Sequence, residues 1–298
     1  MKEGNMVFIT AILPAILTAV SGNEAAVSVH EWGVVVFSQE SGLNCGGPWQ
    51  QSPNYPGTAP AEAFAPVVWI YGESFSGTFS VVVGEGQAIG FVHPAPDVTE
   101  AQRVEWNISA GRMENQAESI IFRWATYGGP FNWAADFWRA VPSLPLLMES
   151  SGIIENFLYY DCTVEPEFTD HFFIWDSHGR PVFESYLLED ALYFSGAGAP
   201  DPIIWRNGAF IPLNTLYRPE IERNTLSEWA GARLYDEEVT ALWETWQPVF
   251  TEEGTEWLLF PIPDEYVDEI SCIALSTDNE EPAEYRRFYL GAVKLSQP

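Results

Sequence analysis

Residues 27–37, VSVHEWGVVVF, decide how the rest of the chain is read. Five valines and a phenylalanine surround a histidine and a glutamate, and β-branched residues in such a density predict a β-strand. In a strand, successive side chains leave on opposite faces. His30, Trp32, Val34 and Val36 then share one face, while Val29, Glu31, Gly33, Val35 and Phe37 share the other. His30 and Glu31 are thereby expected to point apart, unless a bulge brings them together. Gly33 is the residue that marks such a bulge. A carboxylate at position 31 needs a backbone amide or one of the few arginines as its partner, because an unpaired charge among apolar neighbours is costly. A half-buried His30 needs one donor or acceptor.

Working outward, the 21 residues that open the chain hold Lys2 and Glu3, an apolar run from Met6 to Val20 and Ala19-Val20-Ser21. This order reads as a signal peptide with a small-residue cleavage site. Pro14 and the shortness of the run argue against a transmembrane anchor. The expected localisation is secreted or periplasmic.

The chain carries 42 acidic residues against 13 basic ones, for a net charge of −29, which excludes nucleic acid as a partner. An extracellular polymer or protein is the partner class left open. Thirteen Trp, 12 Tyr and 19 Phe supply core material, and 23 Gly and 22 Pro punctuate short segments. The expected fold is mainly β, with antiparallel β-sandwich-like subdomains and one or two short helices. We divide the chain into the signal peptide (1–21), an N-terminal β-rich region (22–160) and a C-terminal β-rich region (161–298).

Strands are predicted in PVVWIYGESFSGTFSVVVGEG, RVEWNISAG, TEWLLFPI, EISCIALS and RRFYLGAVKL, and hairpins around Asp176-Ser177-His178-Gly179 and Asn207-Gly208. The Gly42–Pro66 stretch reads as loop. One amphipathic helix is predicted over 236–247, near the C-terminus. Val239, Leu242, Trp243 and Trp246 form its apolar stripe, Asp236 its N-cap, and Pro248 its stop. FNWAADFWRAV is a second, shorter candidate.

Around the opening strand, VHEWGVVVF resembles the start of a family of uncharacterised secreted bacterial proteins marked by His-Glu-Trp-Gly-Thr-Phe at this place. PVVWIYGESFSGTFSVVV, ENFLYYDC and ALWETWQPVFTEEGTEWLLFPIP are similar to family stretches in the same order. Val34 and Val35 replace the Thr-Phe pair, and Asp161-Cys162 stands where the family has Arg-Gly. The resemblance implies an exported β-rich protein and no particular reaction.

No G-x-S-x-G elbow, P-loop or dinucleotide fingerprint is present, and Ser195 in YFSGAG lacks the elbow's first glycine. His171 and His178 are not at zinc spacing. The weak candidates for a catalytic site are His30 and Glu31, and for a metal site His30, Glu31 and His93. No cofactor is predicted. Calcium is the cation that would suit the acidic run between Arg233 and Arg286, through Asp264, Asp268, Asp278 and Glu280. Trp49 and Tyr55 are candidate ligand aromatics in the long loop. Of three cysteines, Cys272 is expected in the core, and Cys45 with Cys162 is the more plausible bridge.

The chain is rich in packing and turn signals and poor in convergent catalytic groups. The favoured reading is therefore a non-enzymatic extracytoplasmic binding or structural protein. The alternatives are a metal- or carboxylate-dependent hydrolase of an extracellular polymer and a carbohydrate-binding module.

Overall fold

The computed structural model describes residues 26–38, 61–111, 123–175, 181–182, 190–195, 199–206, 209–212, 219–280 and 282–295. The predicted signal peptide, Trp49, Tyr55, Cys45 and His178 lie outside them. The first half contains β1 (Val27–Phe37), β2 (Ala61–Gly72), β3 (Phe75–Val82), β4 (Ile89–His93), β5 (Val98–Thr99), β6 (Arg103–Ala110) and β7 (Arg123–Trp124). There follow α1 (Ala135–Ala140), β8 (Leu146–Met148), β9 (Ile153–Glu155), β10 (Leu158–Thr163), β11 (Ile174–Trp175) and β12 (Pro181–Val182). The remainder holds β13 (Asp190–Ser195), β14 (Ala199–Arg206), β15 (Ala209–Pro212), α2 (Pro219–Ala230), α3 (Asp236–Phe250), β16 (Glu256–Pro261), α4 (Val267–Ile270), β17 (Cys272–Thr277) and β18 (Glu284–Leu295).

The fold is mainly β. A nine-stranded sheet, ordered β15-β14-β13-β16-β18-β1-β2-β10-β4, packs against a seven-stranded sheet built around β17-β3-β6-β8-β9-β7. Both sheets draw strands from either half of the chain. β1 pairs with β18 in parallel and with β2 antiparallel. The predicted hairpin strands β11 and β12 pair, as do β14 and β15 on either side of residues 207–208.

Side-chain alternation then builds two cores. Val29, Val35, Phe37 and Ile70 of the large sheet meet Phe79 and Trp106 of the smaller one. On the other face Trp32, Val34 and Trp69 are covered by α1, α2 and α3 through residues such as Trp138, Leu242 and Trp246. The result is three layers, with β1 buried on both sides. That position explains its nearly unbroken apolar run, which an alternating half-exposed strand would not have.

Two glycines have steric reasons. Gly72 (φ 115°) turns the chain from the large sheet into the small one, and a Cβ there would lie 2.1 Å from the Ala26 carbonyl oxygen. Gly33 does sit at a bulge. Trp32 faces Val67 and Val34 faces Phe64, so Ala65 (φ 48°) and Pro66 together oppose Gly33.

Four expectations are corrected. Ala61 to Pro66 is strand rather than loop, since the bulge accommodates the proline that otherwise excludes pairing. Pro248 does not stop the helix, which continues to Phe250. The proline stands in the last turn on the exposed side, where Val249 and Phe250 are held by burial. The N-cap is Tyr235, and Asp236 is the first helical residue. Cys272 is exposed, because β17 is an edge strand whose outward face carries residues 272, 274 and 276. Within the helix stripe Trp246 is fully buried, while Trp243 is only half-buried against Phe194.

Candidate functional site

The alternation of β1 separates His30 from Glu31 into different layers, and each is completely enclosed. His30 faces the helices. Its Nδ1 lies 3.1 and 3.0 Å from the two carboxylate oxygens of Glu238, at the start of α3. Glu238 also accepts the Tyr71 hydroxyl hydrogen at 2.9 Å and the Tyr235 backbone N–H at 2.6 Å. A carboxylate that only accepts assigns the imidazole hydrogen to Nδ1. Its Nε2 lies 3.4 Å from Oγ of the half-buried Ser28. The imidazole packs against Tyr71 and Tyr235, with ring centroids 4.6 and 4.7 Å away, and the two tyrosine rings touch each other at 5.2 Å. Burial, then the Glu238 carboxylate, raises the Tyr71 hydroxyl well above its ordinary range, so it stays a donor.

Glu31 faces the space between the sheets. Tyr160 donates to it at 2.6 Å and Arg287 Nε at 2.5 Å, so the expected arginine partner is present. Arg287 also reaches Asp268 (2.8 Å) and Ser271 carbonyl oxygen (2.9 Å). Burial works against the guanidinium charge, but Glu31 together with Tyr289 and Tyr160 outweighs it, and Arg287 is pushed above its ordinary value. Tyr160 is raised by burial and then by Glu31. The ring of Tyr289 lies over Gly33, where a Cβ would come within 2.5 Å of it.

His93 is in a third place. Its Nε2 is 3.2 Å from Glu155, which Arg139 clamps with bonds of 3.1 and 2.7 Å. Three strand-to-strand steps separate it from His30 in the large sheet, so the expected candidates His30, Glu31 and His93 have separate partners. His171 pairs with Glu269 at 2.9 Å. Asp161 accepts the Phe91 N–H at 2.6 Å. Cys162 is a buried free thiol, raised by burial and by Asp161.

The calcium candidates do not converge. Asp264 pairs with Arg233, Asp268 with Arg287, and Asp278 accepts the Ser76 N–H. Among the described residues no group of three or more His, Cys, Asp or Glu is placed to hold a metal ion. No helix among them is long and apolar enough to cross a membrane.

Two of the open cavities are lined by described residues. One, of about 460 Å³, lies beside the start of β18 between Arg233, Asp264, Asp268 and Arg286. Its arginines are already neutralised, Arg286 by Glu284 at 2.9 Å in addition to the pairs above. The other, of about 280 Å³, is a groove between α1 and the start of α3. Phe137, Ala140 and Val141 line one side, and Asp236, Glu237 and Thr240 the other. Tyr235 stands next to Asp236, and its ring packs on His30 and Tyr71. The His30–Glu238 contact thus fixes the end of α3 that forms one wall.

Glu238, Tyr71 and Arg287 were not singled out in the sequence. A signal existed for two of them. Glu238 precedes Leu242 by four positions and so falls on the buried stripe of the helix. Arg287 alternates with Tyr289 toward the interior of its strand.

No family model, no curated protein and no solved structure matches the chain.

Proposed function

We propose that this is a non-enzymatic extracytoplasmic protein that binds an extracellular polymer or protein, with the His30-Glu31 pair serving as internal fasteners. The observation that carries the reading is the complete enclosure of both side chains, each satisfied by its own protein partners in a different layer. Export is supported by the apolar N-terminus and by the resemblance of the VHEWG opening to secreted proteins. A binding role leaves the accessible groove beside α3 as the working surface.

A second reading, a hydrolase acting by acyl transfer, is favoured by one arrangement only. Ser28, His30 and Glu238 follow the order nucleophile, base and orienting carboxylate, with the acid and the base enclosed and the serine more open. Its weak point is the 3.4 Å Ser28–His30 separation, long for a working hydrogen bond.

The experiment combines elemental analysis, fluorophosphonate labelling and thermal melts of wild type, Ser28→Ala, His30→Ala and Glu31→Gln. The binding reading expects no labelling, no stoichiometric metal, and lowered melting temperatures for the His30 and Glu31 variants. Labelling that disappears in Ser28→Ala and His30→Ala would replace it with the hydrolase. Zinc, calcium or iron lost from either variant at unchanged stability would replace it with the metal-dependent hydrolase.

A further inference from the structure

One edge of β18 is left open by its own partner strand. β18 pairs with β1 from Glu284 to Val293, but β16 covers its other side only from Leu290 to Leu295. The last backbone bond on that side runs from the Ile262 N–H to the Tyr289 carbonyl. The chain then curls away from the sheet through a short turn at Asp264–Tyr266 and through α4. Strand alternation turns the backbone groups of Arg287 and Tyr285 to the same side as those of Tyr289. Among the described residues no other backbone group bonds to them.

The cavity of about 460 Å³ lies where a continued β16 would run. Four consecutive residues, Glu284 to Arg287, line it, although their side chains alternate between the two faces of the sheet. Only the edge of a strand is shared by both faces, so the cavity follows that edge. Its length beside four strand residues is about 13 Å, and its volume is in the usual range of ligand clefts. Unpaired edges are ready templates for another strand, and proteins commonly cover or blunt them.

Charge selects what can enter. Three ion pairs rim the slot, and in each the acid is the more open partner. The side chains of Asp264, Asp268 and Glu284 are 71, 82 and 46% exposed, against 30, 9 and 30% for Arg233, Arg287 and Arg286. Asp264 and Asp268 bond their arginines through Oδ1, which leaves Oδ2 of each to a ligand. The mouth of the slot is therefore anionic, and the net charge of −29 steers cationic partners toward it. A second copy of this chain is disfavoured by the same charge.

We propose that an extended, basic peptide segment of a partner protein adds to β18 as a further strand in this slot. Its backbone bonds to Tyr285 and Arg287, and its lysine or arginine side chains meet Asp264 and Asp268. This rests on the binding reading above, in its protein form, and adds a second surface to the groove beside α3.

The test is fluorescence anisotropy of the full chain with a labelled short peptide of alternating Lys and Val, at physiological ionic strength so that loose attraction to the net charge is screened. The peptide should bind saturably. A copy methylated on its backbone nitrogens keeps the charge but cannot pair as a strand, and it should bind at least tenfold more weakly, as should a Glu-Val peptide. Tyr285→Pro removes an outward N–H where an edge strand tolerates proline, and should weaken binding at least tenfold. Tyr285→Phe loses only the hydroxyl that accepts the Leu275 N–H and should bind like wild type. Absence of binding by the Lys-Val peptide, equal binding of the methylated or Glu-Val peptide, or wild-type affinity of Tyr285→Pro would overturn the proposal. A wild-type dimer in sedimentation that is lost in Tyr285→Pro would overturn it in favour of a second copy in the slot. Labelling and metal content report on the binding reading without the peptide, so its failure and that of the slot are told apart.

Discussion

The two faces of β1 solve one problem in different ways. On the helix side, His30 meets a glutamate that already has two other donors, the Tyr71 hydroxyl and the Tyr235 backbone. On the sandwich side, Glu31 meets Arg287, and both are anchored further by Tyr160, Ser271 and Asp268. The first face joins a strand to a helix through an imidazole. The second joins the neighbouring strands β1 and β18 of one sheet through an enclosed ion pair, and Arg287 carries it on to Asp268 of α4. Adjacent residues in a sequence motif can thus belong to different layers and different energetic regimes, and the motif's spacing alone does not make them partners.

The contrast predicts unequal losses. Arg287→Ala leaves the Glu31 carboxylate enclosed with Tyr160 as its remaining close donor, and removing one member of such a pair costs about 3–5 kcal/mol. Adding Glu31→Gln should recover part of that loss. His30→Ala leaves Glu238 with two donors, and its cost should be about 1–3 kcal/mol. Urea unfolding of the single and double variants measures all three. A His30→Ala loss larger than that of Arg287→Ala would reverse the comparison.

Gly33 sharpens it from within the strand. A methyl group at this position would press on the Tyr289 ring, on the sandwich face, with little room for the ring to yield between packed sheets. Gly33→Ala should lose about 1–3 kcal/mol by overpacking. Ser28→Ala, two residues from His30 on the other face, should be nearly silent. Equal melting temperatures for these two variants would show that the bulge can absorb the methyl group.

Much of this arrangement was legible in the sequence, and the reasons for the rest are physical. Alternation along VSVHEWGVVVF correctly separates His30 from Glu31 and calls for an arginine, because strand geometry has a fixed period of two. Asn207-Gly208 foretells the pairing of β14 with β15, since that dipeptide suits a tight hairpin. The identity of the arginine is beyond local pattern, as Arg287 lies on a strand that reaches β1 only through the tertiary fold. Pro66 reads as loop because a proline in a strand is excluded unless a bulge accepts it, and that bulge depends on a partner strand. Trp243 and Trp246 both fit the helical stripe, but which one is innermost depends on where Phe194 and Phe131 pack. The groove beside α3 is assembled from residues 137–141 and 236–241, so neither segment displays it alone.

The smallest expected difference between the faces appears at alkaline pH. Tyr71 and Tyr127 on the helix side, and Tyr160 and Tyr289 on the sandwich side, are all raised above the ordinary tyrosine value of 10.0. Burial is the first cause in each. Glu238 adds to it for Tyr71, Asp161 for Tyr127, and Glu31 for Tyr160 and Tyr289. In the unfolded chain these hydroxyls ionise near pH 10 while the folded chain keeps them protonated, so above that pH the native state binds more protons. Stability is then fully present below pH 10 and falls as pH rises, by up to about 1.4 kcal/mol per pH unit for each tyrosine held neutral. Tyr71→Phe and Tyr160→Phe should each make that alkaline decline shallower by one tyrosine's share, although Tyr160→Phe also loses its bond to Glu31 and starts from lower stability. Phenolate absorbance followed alongside circular dichroism measures this, because these four tyrosines should ionise only as the fold is lost. If all 12 tyrosines titrate near pH 10 with the β-structure intact, the enclosure of Tyr160 and Tyr289 around Glu31 is wrong, and with it the distinction between the two faces.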